Sequence, residues 1–413
     1  MFSSWDVVVA GAGAAGLVAA ERAASRGLKT LLLEKNRRPG VKILMSGGTR
    51  CNLTHNCDAR GIVAAYGTQG RFLHSPLAAL GPKDLIALVE TEGVPTKVEE
   101  TGKVFPVSDK ATDIVEAFLA RLQRSGAELA LEEPLTGIEQ SAEGFLLTTP
   151  LRTLSTARLI VTTGGQSYPG SGTTGDGYEW ARRLGHEIVP LQPALTPVTT
   201  SAAWVKQLSG VTIPDVALRL LEPAANKPKL LDARRGSFLF THFGLSGPVA
   251  LDISRTISRH PRGNTLLLEC DFLPDVKEPL LESQLQAAAA AAGKKQLLSL
   301  LPELLPRRLY EAVLPQLDVA ADTKAGELSK PLRQRVVAAI KRTIIPVAGT
   351  RGFGKAEVTA GGVSLAQIDS RDMQSKLIPG LFFAGEVLDL DGPIGGYNFQ
   401  AAFSTGWLAG ERV

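Results

Sequence analysis

Three glycines near the start of the chain have the spacing of a phosphate-binding turn. Gly11, Gly13 and Gly16 form G-x-G-x-x-G. The apolar segment 6–10 precedes them, an alanine-rich segment follows, and a second apolar segment then ends on Glu34. In such a strand–helix–strand unit the helix N-terminus binds a pyrophosphate, and the acidic residue accepts hydrogen bonds from ribose hydroxyls. Because strand, helix and acid all accompany the glycines, the pattern predicts an ADP-containing cofactor rather than a ligand-free turn.

A second candidate for chemistry is the glycine-rich segment 45–54, which reads M-S-G-G-T-R-C-N-L-T. Its small residues would let backbone amides approach a flat ring or a phosphate, and Lys42 and Arg50 would supply positive charge. The alternative is a surface loop capped by Asn52 and Thr54.

Two further polar segments each carry one titratable residue of interest. His242 lies in F-T-H-F-G-L-S-G-P and is a candidate proton donor, although a histidine packed in a turn between strand and helix fits equally well. Asp176 follows T-T-G-G and lies in G-T-T-G-D-G. We expect Asp176 to cap a helix over 177–184 rather than to take part in catalysis.

The last glycine-rich segment follows an apolar strand at 381–384. Glu386 ends this strand and is expected next to a bound cofactor. The Gly-Gly turn at 395–396 then opens the last helix, whose N-terminal dipole can face the N1/C2=O edge of a flavin and stabilise the reduced, anionic ring. Asp389 and Asp391 are expected to serve only in turns.

The composition restricts the class of protein. A chain of 413 residues suggests two or three domains, and the charged and hydrophobic fractions of 21% and 44% are ordinary for a soluble protein. No apolar run has membrane-spanning length, and residues 1–5 lack the features of a secretory signal. The three cysteines form no C-x-x-C pair, which favours a reducing compartment and argues against a zinc site. We therefore expect a cytoplasmic protein without a bound metal.

The charge is distributed unevenly along the chain. Residues 201–348 carry 20 Lys and Arg against 14 Asp and Glu, a balance of +6, so the remainder of a chain of net charge +4 is about −2. This bias is compatible with RNA phosphates as partners, and solvated helix faces explain it equally well. The candidate contacts are Arg234-Arg235, Lys294-Lys295, Arg307-Arg308 and Lys341-Arg342. Neither a membrane nor DNA is expected as a partner.

The order of the predicted elements indicates a nucleotide-binding domain interrupted by an insertion. Helices are predicted over 82–92 and 111–126, a β-meander over 129–154, strands within 196–275 and helices within 280–345. A buried strand at 381–384 and a helix from about 398 to 410 complete the α/β chain. We predict the first part of the cofactor domain over 1–190, the inserted module over 191–350 and the last part over 351–413.

Taken together, these segments resemble the BaiN/RdsA-type flavoproteins, also called YhiN-like NAD(P)/FAD-dependent oxidoreductases. The shared signatures are GAGAAG, SGGTRCNLT, TTGGQSYPGSGTTGDGY, FTHFGLSGP and AGEVLDLDGPIGGYNFQAA, and the resemblance covers essentially the whole chain. It implies a Rossmann-like, two-dinucleotide-binding FAD domain with an inserted β-barrel-like and helical module. Thr49 and Thr162 replace the Gly and Ala that are usual in the family, but neither change removes a charged or nucleophilic group.

The resemblance also implies which residues contact FAD. The ADP half would be held by Gly11, Gly13, Ala14, Ala15, Gly16, Glu34 and Lys35, with Thr163 and Gly164 on the adenosine side. The pyrophosphate and flavin would lie along Lys42, Ser46, Gly47, Arg50, Cys51 and Asn52. The ribityl chain and ring would be held by Gly385, Glu386, Gly396, Tyr397 and Asn398. Since no second G-x-G-x-x-G is evident, NADH or NADPH is expected to visit the flavin transiently as electron donor.

The activities that the resemblance implies reduce an activated C=C bond. One branch of the family resembles reductases of conjugated steroid enones, and another resembles enzymes that make dihydrouridine in ribosomal RNA. In both, flavin N5 gives a hydride to the β-carbon and an acid protonates the α-carbon. Cys51 and His242 are the candidate acids, although Cys51 could equally be a small residue packed near the cofactor. We expect an RNA-directed enzyme, with a small-molecule enone reductase and a non-catalytic flavin sensor as alternatives.

Overall fold

The computed structural model describes residues 3–320 and 322–413. Residues 1 and 2, which belong to the segment read for a secretory signal, lie outside the described residues. The strands are β1 (Ser3–Ala10), β2 (Thr30–Leu33), β3 (Thr54–His55), β4 (Thr96–Val98), β5 (Lys103–Pro106), β6 (Glu128–Ala130), β7 (Gly137–Ser141), β8 (Gly144–Thr148), β9 (Thr153–Val161), β10 (Ile188–Ala194), β11 (Val198–Thr199), β12 (Thr212–Glu222), β13 (Lys229–Thr241), β14 (Gly244–Ser246), β15 (Leu267–Asp271), β16 (Thr343–Pro346), β17 (Gly349–Thr350), β18 (Val358–Val363) and β19 (Leu381–Phe383). The helices are α1 (Ala14–Ser25), α2 (Val41–Thr49), α3 (Ala59–Ala65), α4 (His74–Ala79), α5 (Pro82–Glu90), α6 (Ala111–Ser125), α7 (Asp176–Arg183), α8 (Ala203–Gln207), α9 (Pro248–Arg259), α10 (Glu278–Ala291), α11 (Arg307–Val313), α12 (Lys330–Lys341) and α13 (Tyr397–Arg412).

The chain forms two compact units, one from the residues up to 192 together with 357–413, and the other from 193–356. The first unit contains a mixed sheet in the order β6-β2-β1-β9-β8-β7, with β19 also paired to β9. The pairs β6-β2, β2-β1, β1-β9 and β9-β19 are parallel, whereas β8 is antiparallel to both β7 and β9. The valines of β1 are fully buried, as expected of a parallel strand covered on both faces.

The register brings the carboxyl ends of four strands to one edge of this sheet. Ala10 of β1 lies opposite both Leu33 of β2 and Val161 of β9, and Val161 lies opposite Phe383 of β19. The loops that follow these four residues therefore begin side by side. In open α/β sheets this edge is where ligands bind.

The first and last helices of the first unit are in direct contact. A Cβ on Gly406 or Gly410 of α13 would lie 2.2 Å from Ala15 O or 2.3 Å from Ala19 O of α1, respectively. Only glycine allows so close an approach of the two backbones. Helix α13 thus covers the face of α1 that begins at the glycine-rich turn.

The second unit is built on an antiparallel sheet in the order β16-β15-β12-β13-β14-β11-β17. Helices α8 to α12 belong to this unit, which has its own apolar core. At one end of the sheet, Thr199 of β11 lies opposite Gly244 of β14 and Gly349 of β17.

Most elements occur where the sequence predicts them. The helices predicted over 82–92 and 111–126 are α5 and α6, and the predicted meander corresponds to β7, β8 and the start of β9. The compact units change at 192/193 and 356/357. The predicted domain boundaries at 190/191 and 350/351 stay a prediction.

Candidate functional site

The turn between β1 and α1 has an open cradle at its centre. Gly11 has φ +107°, and a Cβ on Gly16 would lie 1.8 Å from the carbonyl oxygen of Gly11, so both positions require glycine. A Cβ on Gly13 would meet no atom within 4 Å. Gly13 therefore leaves space in front of the N-terminus of α1, where Ala14 and Ala15 form the first turn. This arrangement fits the pyrophosphate of a dinucleotide.

Glu34 organises the loop after β2. Its Oε2 accepts the N–H of Ala12 and its Oε1 accepts the N–H of Asn36, both at 2.8 Å, and the residue is buried. A carboxylate has about four acceptor positions. Glu34 can therefore still accept hydrogen bonds from ribose hydroxyls while it holds the two loops beside it.

The loop after β9 carries a buried hydroxyl that fits the adenosine side. Thr163 Oγ1 has no hydrogen-bond partner among the described residues, and Gly164 beside it has φ +71°. The nearby Asp176 accepts from Lys35 Nζ at 2.5 Å. The predicted capping role of Asp176 is wrong, because Gly175 is the N-cap and α7 begins at Asp176 itself. Lys35 therefore neutralises this carboxylate.

Lys42 in the first turn of α2 and Glu386 in the loop after β19 form a partly buried ion pair. The side chains are 26% and 16% exposed, and Lys42 Nζ also donates to Ser167 Oγ at 2.8 Å. Glu386 Oε1 accepts from Ser167 Oγ at 2.8 Å and from the N–H of Thr359 at 2.9 Å. The pair thus ties together segments that are far apart in the sequence.

Tyr178 is buried and contacts the backbone of Glu386. Burial, together with the carboxylates of Glu386 and Asp389, raises the pKa of the Tyr178 phenol well above its ordinary value. The phenol therefore stays protonated, and its O–H donates a hydrogen bond to the carbonyl oxygen of Glu386 at 3.2 Å.

The segment after α2 has an unusual backbone. Gly47, Gly48, Thr49 and Cys51 all have φ between +55° and +70°, and Ser46 leaves the helical conformation with ψ 153°. Left-handed residues that follow one another closely in a turn can form an anion-binding concavity with their backbone N–H groups. Ser46 itself donates its hydroxyl to Ile43 O at 2.8 Å.

Cys51 is fully buried within this segment. Burial raises the pKa of its thiol to about 12, although a hydrogen bond with Ser46 acts in the opposite direction. The thiol is therefore neutral and inaccessible at physiological pH. This environment favours a packing role for Cys51 over proton donation.

Arg50 is engaged by neighbours within the first unit. Its Nη1 donates to Glu99 Oε1 at 2.7 Å, and its guanidinium lies 4.0 Å from the centre of the Phe105 ring. The ion pair with Glu99 raises the pKa of Arg50, so its charge is permanent. A phosphate would have to share this guanidinium with Glu99.

The N-terminus of α13 is joined to the segment after Cys51. When the Asn52 amide is oriented to match its neighbours, it accepts from Gly396 N at 3.0 Å and donates to Thr54 O at 3.1 Å. Gly396 has φ +95°, and a Cβ there would lie 2.4 Å from Thr54 C. Tyr397 stacks on His55 with ring centres 4.7 Å apart.

Two further residues hold the loops around this helix end. Asn398 Oδ1 accepts the N–H of Gly392 at 2.8 Å, which closes the loop before the helix. The N–H of Gly385 donates to Thr405 Oγ1 at 2.9 Å, which fixes the loop after β19 against α13. The residues predicted for the ribityl chain and ring therefore form one connected frame.

The residues of the first unit fit FAD. The open cradle at Gly13, the unpartnered hydroxyl of Thr163 and the helix end at Gly396 belong to loops at one sheet edge. All predicted cofactor residues lie in this unit, whereas His242 lies in the other one. The assignment of individual residues to FAD stays a prediction.

His242 is exposed in the turn between β13 and β14 of the second unit. Its ring contacts the ring of Phe243 edge-on, with centres 4.9 Å apart. The guanidinium of Arg351 lies 4.5 Å from the centre of the same Phe243 ring. The three side chains form an aromatic and cationic cluster within this unit.

Sequence reasoning missed several residues of the connected frame in the first unit and of the aromatic and cationic cluster in the second. Ser167, Thr359 and His55 join the frame of the first unit through hydrogen bonds or stacking, and Arg351 joins the cluster of the second. Ser167 and His55 lie inside or beside the glycine-rich segments, which was the available signal. Nothing local distinguishes Thr359 or Arg351.

Among residues 3–320 and 322–413, no group of three or more His, Cys, Asp or Glu side chains could hold a metal ion. In the same residues, no helix is both long and apolar enough to cross a membrane.

The fold and the glycine-rich cradle define a dinucleotide-binding flavoprotein of the Rossmann type. Residues 5–412 match the family described as HI0933-like protein Rossmann domain, and the chain belongs to this family. The predicted α/β fold and the resemblance to BaiN/RdsA-type proteins are confirmed. The chain is an FAD-dependent oxidoreductase.

Two relatives span nearly the whole chain. It is 34% identical over 413 residues to the "Ribosomal RNA dihydrouridine synthase" of Escherichia coli (strain K12), covering 99% of this chain and 98% of the relative. It is 29% identical over 408 residues to the "3-dehydro-bile acid delta(4,6)-reductase" of Clostridium scindens, covering 98% of each.

Solved structures with a similar fold share little sequence. Escherichia coli quinol fumarate reductase FrdA superposes with a TM-score of 0.51 and 17% identity, covering 100% of this chain and 70% of that one. The 3-ketosteroid delta1-dehydrogenase of Sterolibacterium denitrificans gives a TM-score of 0.51 and 15% identity, covering 99% of each chain. At this identity the likeness shows the fold alone.

Proposed function

We propose that the protein reduces the C5=C6 bond of a uridine in ribosomal RNA to give dihydrouridine. The observation that carries this proposal is the near full-length similarity, at 34% and 33% identity, to two proteins named for that reaction. Similarity over the whole length supports a common reaction because it includes both compact units and not only the cofactor fold.

FAD supplies the hydride to the substrate from its N5 position when it is bound, and NADH or NADPH is proposed as the source of electrons. The cradle at Gly11, Gly13 and Gly16 would hold the pyrophosphate, and Glu34 the ribose. Lys42 and Glu386 would lie along the flavin half. Because the positive charge of Lys42 is compensated by Glu386, the pair orients its loops without adding net charge at the ring.

His242 is the proposed proton donor to the α-carbon. It is exposed, so an imidazolium that has lost its proton can recover one from water. Cys51 is less suited to this role because it is fully buried and its pKa is raised to about 12. Proton transfer requires a group of nearly matched pKa that reaches the substrate.

The second unit offers fewer RNA contacts than its charge suggests. Lys341 is buried in an ion pair with Asp271 at 2.7 Å, so its prediction as an RNA contact is wrong. Arg235 pairs with Asp215 at 2.5 Å and Arg342 with Glu278 at 3.2 Å. An arginine that already has a carboxylate partner gains less from a phosphate.

Lys294 and Lys295 remain as exposed cations without an ion pair among the described residues. They follow α10 in a short loop, where Ala325 N donates to Lys295 O at 2.9 Å and fixes the backbone. Arg308 is exposed nearby in sequence and donates to Gln207 O at 3.0 Å. We propose these three residues as phosphate contacts.

The first experiment is nucleoside mass spectrometry of ribosomal RNA from the source organism with and without the gene. Loss of dihydrouridine in the deletion strain, restored by the wild-type gene, is the expected result. A K294E/K295E variant should restore less of the modification than an R235Q control, because the control removes a cation that already has acidic partners. An unchanged dihydrouridine level in the deletion strain would contradict the proposal.

A reductase of small conjugated enones is the second candidate, favoured by the 29% identity to a bile acid reductase. Both candidate substrates contain a C=C bond conjugated to a carbonyl group. The purified holoprotein should be assayed with a steroid 4-en-3-one and with an unmodified rRNA fragment under the same reductant. Turnover of the steroid without turnover of the RNA would select the second candidate.

A further inference from the structure

The short strand β3 contacts the first turn of α13 through both of its residues. Thr54 Oγ1 donates to Gln400 Oε1 at 2.6 Å, and a Cβ on Gly396 would lie 2.4 Å from Thr54 C. The His55 ring stacks on the Tyr397 ring, with centres 4.7 Å apart and an angle of 19° between planes. The N-terminus of α13 therefore packs directly on β3.

The His55 side chain also makes a hydrogen bond with the turn before this helix. Its Nδ1 lies 3.1 Å from Gly395 O and donates to it, because a carbonyl oxygen can only accept. A Cβ on Gly395 would lie 3.4 Å from His55 Nδ1 and 3.2 Å from Tyr397 Cε2. Since Gly395 has no side chain, the imidazole contacts the backbone of the turn itself.

The turn before α13 has little conformational restraint of its own. Gly395 and Gly396 have φ +129° and +95°, and glycine has more backbone freedom to lose than any other residue. Two consecutive glycines therefore keep one conformation only when groups outside the turn hold them. His55 Nδ1 and the Asn52 amide provide such contacts, one to each glycine.

The imidazole of His55 is itself fixed by its surroundings. The backbone of His55 pairs with Lys103 of β5. Gly102 has φ +79°, and a Cβ there would lie 2.6 Å from His55 Nε2. The ring thus has Gly102 against Nε2, Tyr397 against its face and Gly395 bonded to Nδ1. Three contacts in different directions give the side chain a single orientation.

We infer that His55 is a positioning residue that holds the N-terminus of α13 towards the flavin of bound FAD and thereby raises the reduction potential of that flavin. Reduction places negative charge at the N1/C2=O edge of the flavin, and the positive dipole end of a helix stabilises such charge. The stabilisation depends on how the helix end is aimed. His55 acts on that aim through Gly395 and Tyr397.

The inference rests on FAD binding and on the placement of the flavin beside α13. It does not depend on which conjugated substrate the protein reduces, because the reduction potential is a property of the holoprotein alone. The result can therefore be obtained without RNA or an enone.

The test is the reduction potential of the flavin in the purified holoprotein, measured from its visible absorbance in a titration against a dye of known potential. In H55A the affinity for reduced FAD relative to oxidised FAD should fall about tenfold, a decrease of about 30 mV for a two-electron couple. H55F keeps an aromatic ring and H55N keeps an N–H donor near the position of Nδ1, so each should retain part of the wild-type potential. If H55A does not retain FAD, H55F and H55N report the same effect. A wild-type potential in the variants that bind FAD would overturn the inference.

Two controls separate positioning from a loss of stability. L122A removes buried volume from α6, so it should lower Tm. It should keep the wild-type potential, because the lost stability is common to the protein with oxidised and with reduced FAD. H74A removes an exposed histidine at the start of α4 and should change neither quantity. A decrease in potential in L122A as large as that in H55A would overturn the inference.

A double variant shows whether His55 acts through Tyr397. Because the two rings stack, the decrease in potential in H55A/Y397A should be smaller than the sum of the decreases in the two single variants. A simple sum would show that the two side chains act independently and would contradict the positioning role.

The same variants distinguish the failure of this inference from other failures. A wild-type potential in H55A, together with a lowered potential in Y397A, would reject the role of His55 and leave the flavin beside α13. A wild-type potential in both would reject that placement of the flavin as well. Neither result bears on the proposed reduction of uridine, which the deletion strain tests separately.

Discussion

The central glycine of the cofactor turn allows binding to be separated from folding. Gly13 has φ −81° and ψ −167°, an extended conformation that alanine also adopts, and a Cβ there meets no protein atom within 4 Å. Gly16 lies three residues later, but a Cβ there would lie 1.8 Å from Gly11 O. The same chemical change at two neighbouring glycines should therefore have opposite consequences for the free protein.

The magnitudes follow from these two environments. In G13A the apoprotein should be more stable by about 0.4–1 kcal/mol, or about 1–3 °C in Tm, because alanine restricts the unfolded chain. The added methyl group would occupy space reserved for the pyrophosphate, and such overpacking costs about 1–3 kcal/mol, equivalent to a roughly 5- to 150-fold weaker FAD affinity. In G16A the backbone itself must move, so the apoprotein should lose about 3 kcal/mol or more.

The assay is FAD titration by fluorescence quenching together with thermal unfolding of the apoproteins. G354A provides a control in the second unit, since Gly354 is exposed and a Cβ there also meets no atom within 4 Å. It should leave FAD affinity unchanged. The reasoning is refuted if G13A binds FAD as tightly as the wild type, or if its apoprotein is destabilised as much as that of G16A.

The other predictions concern buried thiols and the ion pair. Of the three cysteines, only the half-buried Cys57 should react rapidly with a thiol reagent in the native protein, because Cys51 and Cys270 are fully buried. Rapid labelling of Cys51 would contradict this prediction. Burial raises the folded-state pKa of the Cys51 thiol from about 9 to about 12, so the stability that depends on this neutral thiol is complete below pH 9 and is lost as pH rises towards 12. The free energy of unfolding of C51A should therefore fall less steeply than that of the wild type over that pH range. E386Q leaves Lys42 without its counterion and should lower the free energy of unfolding by about 1–3 kcal/mol, less than for a fully buried pair because both side chains are partly exposed. The K42M/E386Q double variant should regain part of that loss, and a simple sum of the two single losses would show that the pair does not interact.

The cofactor turn could be predicted from the sequence because its requirements are local. Gly11, Gly13 and Gly16 serve different steric needs within one turn, and a spacing in the sequence captures all of them. Glu34 could be found because the helix and strand between it and the glycines have standard lengths. The strand at 381–384 was recognisable as an apolar run, although its pairing with β9 was not.

The misjudged residues depend on contacts that no local pattern specifies. Asp176 looks like a helix cap, but Lys35, more than a hundred residues earlier in the chain, pairs with it inside the first turn of the helix. Lys341 looks like a surface cation beside Arg342, but it is 6% exposed because it turns inward to Asp271. Arg351 was overlooked for the same reason, since its ring contact is with Phe243, which lies in a turn more than a hundred residues earlier in the chain.

The contact between α1 and α13 has a consequence for how the protein is made. A ribosome completes β1, the glycine turn and α1 before it reaches the second unit, but residues 357–413 supply β19 and the helix that covers α1. The second unit, with a core of its own, can fold while those residues are still awaited. Capture of the flavin therefore has to wait until residues 357–413 have been synthesised, and a nascent chain stalled before residue 357 should carry a folded insertion and no FAD.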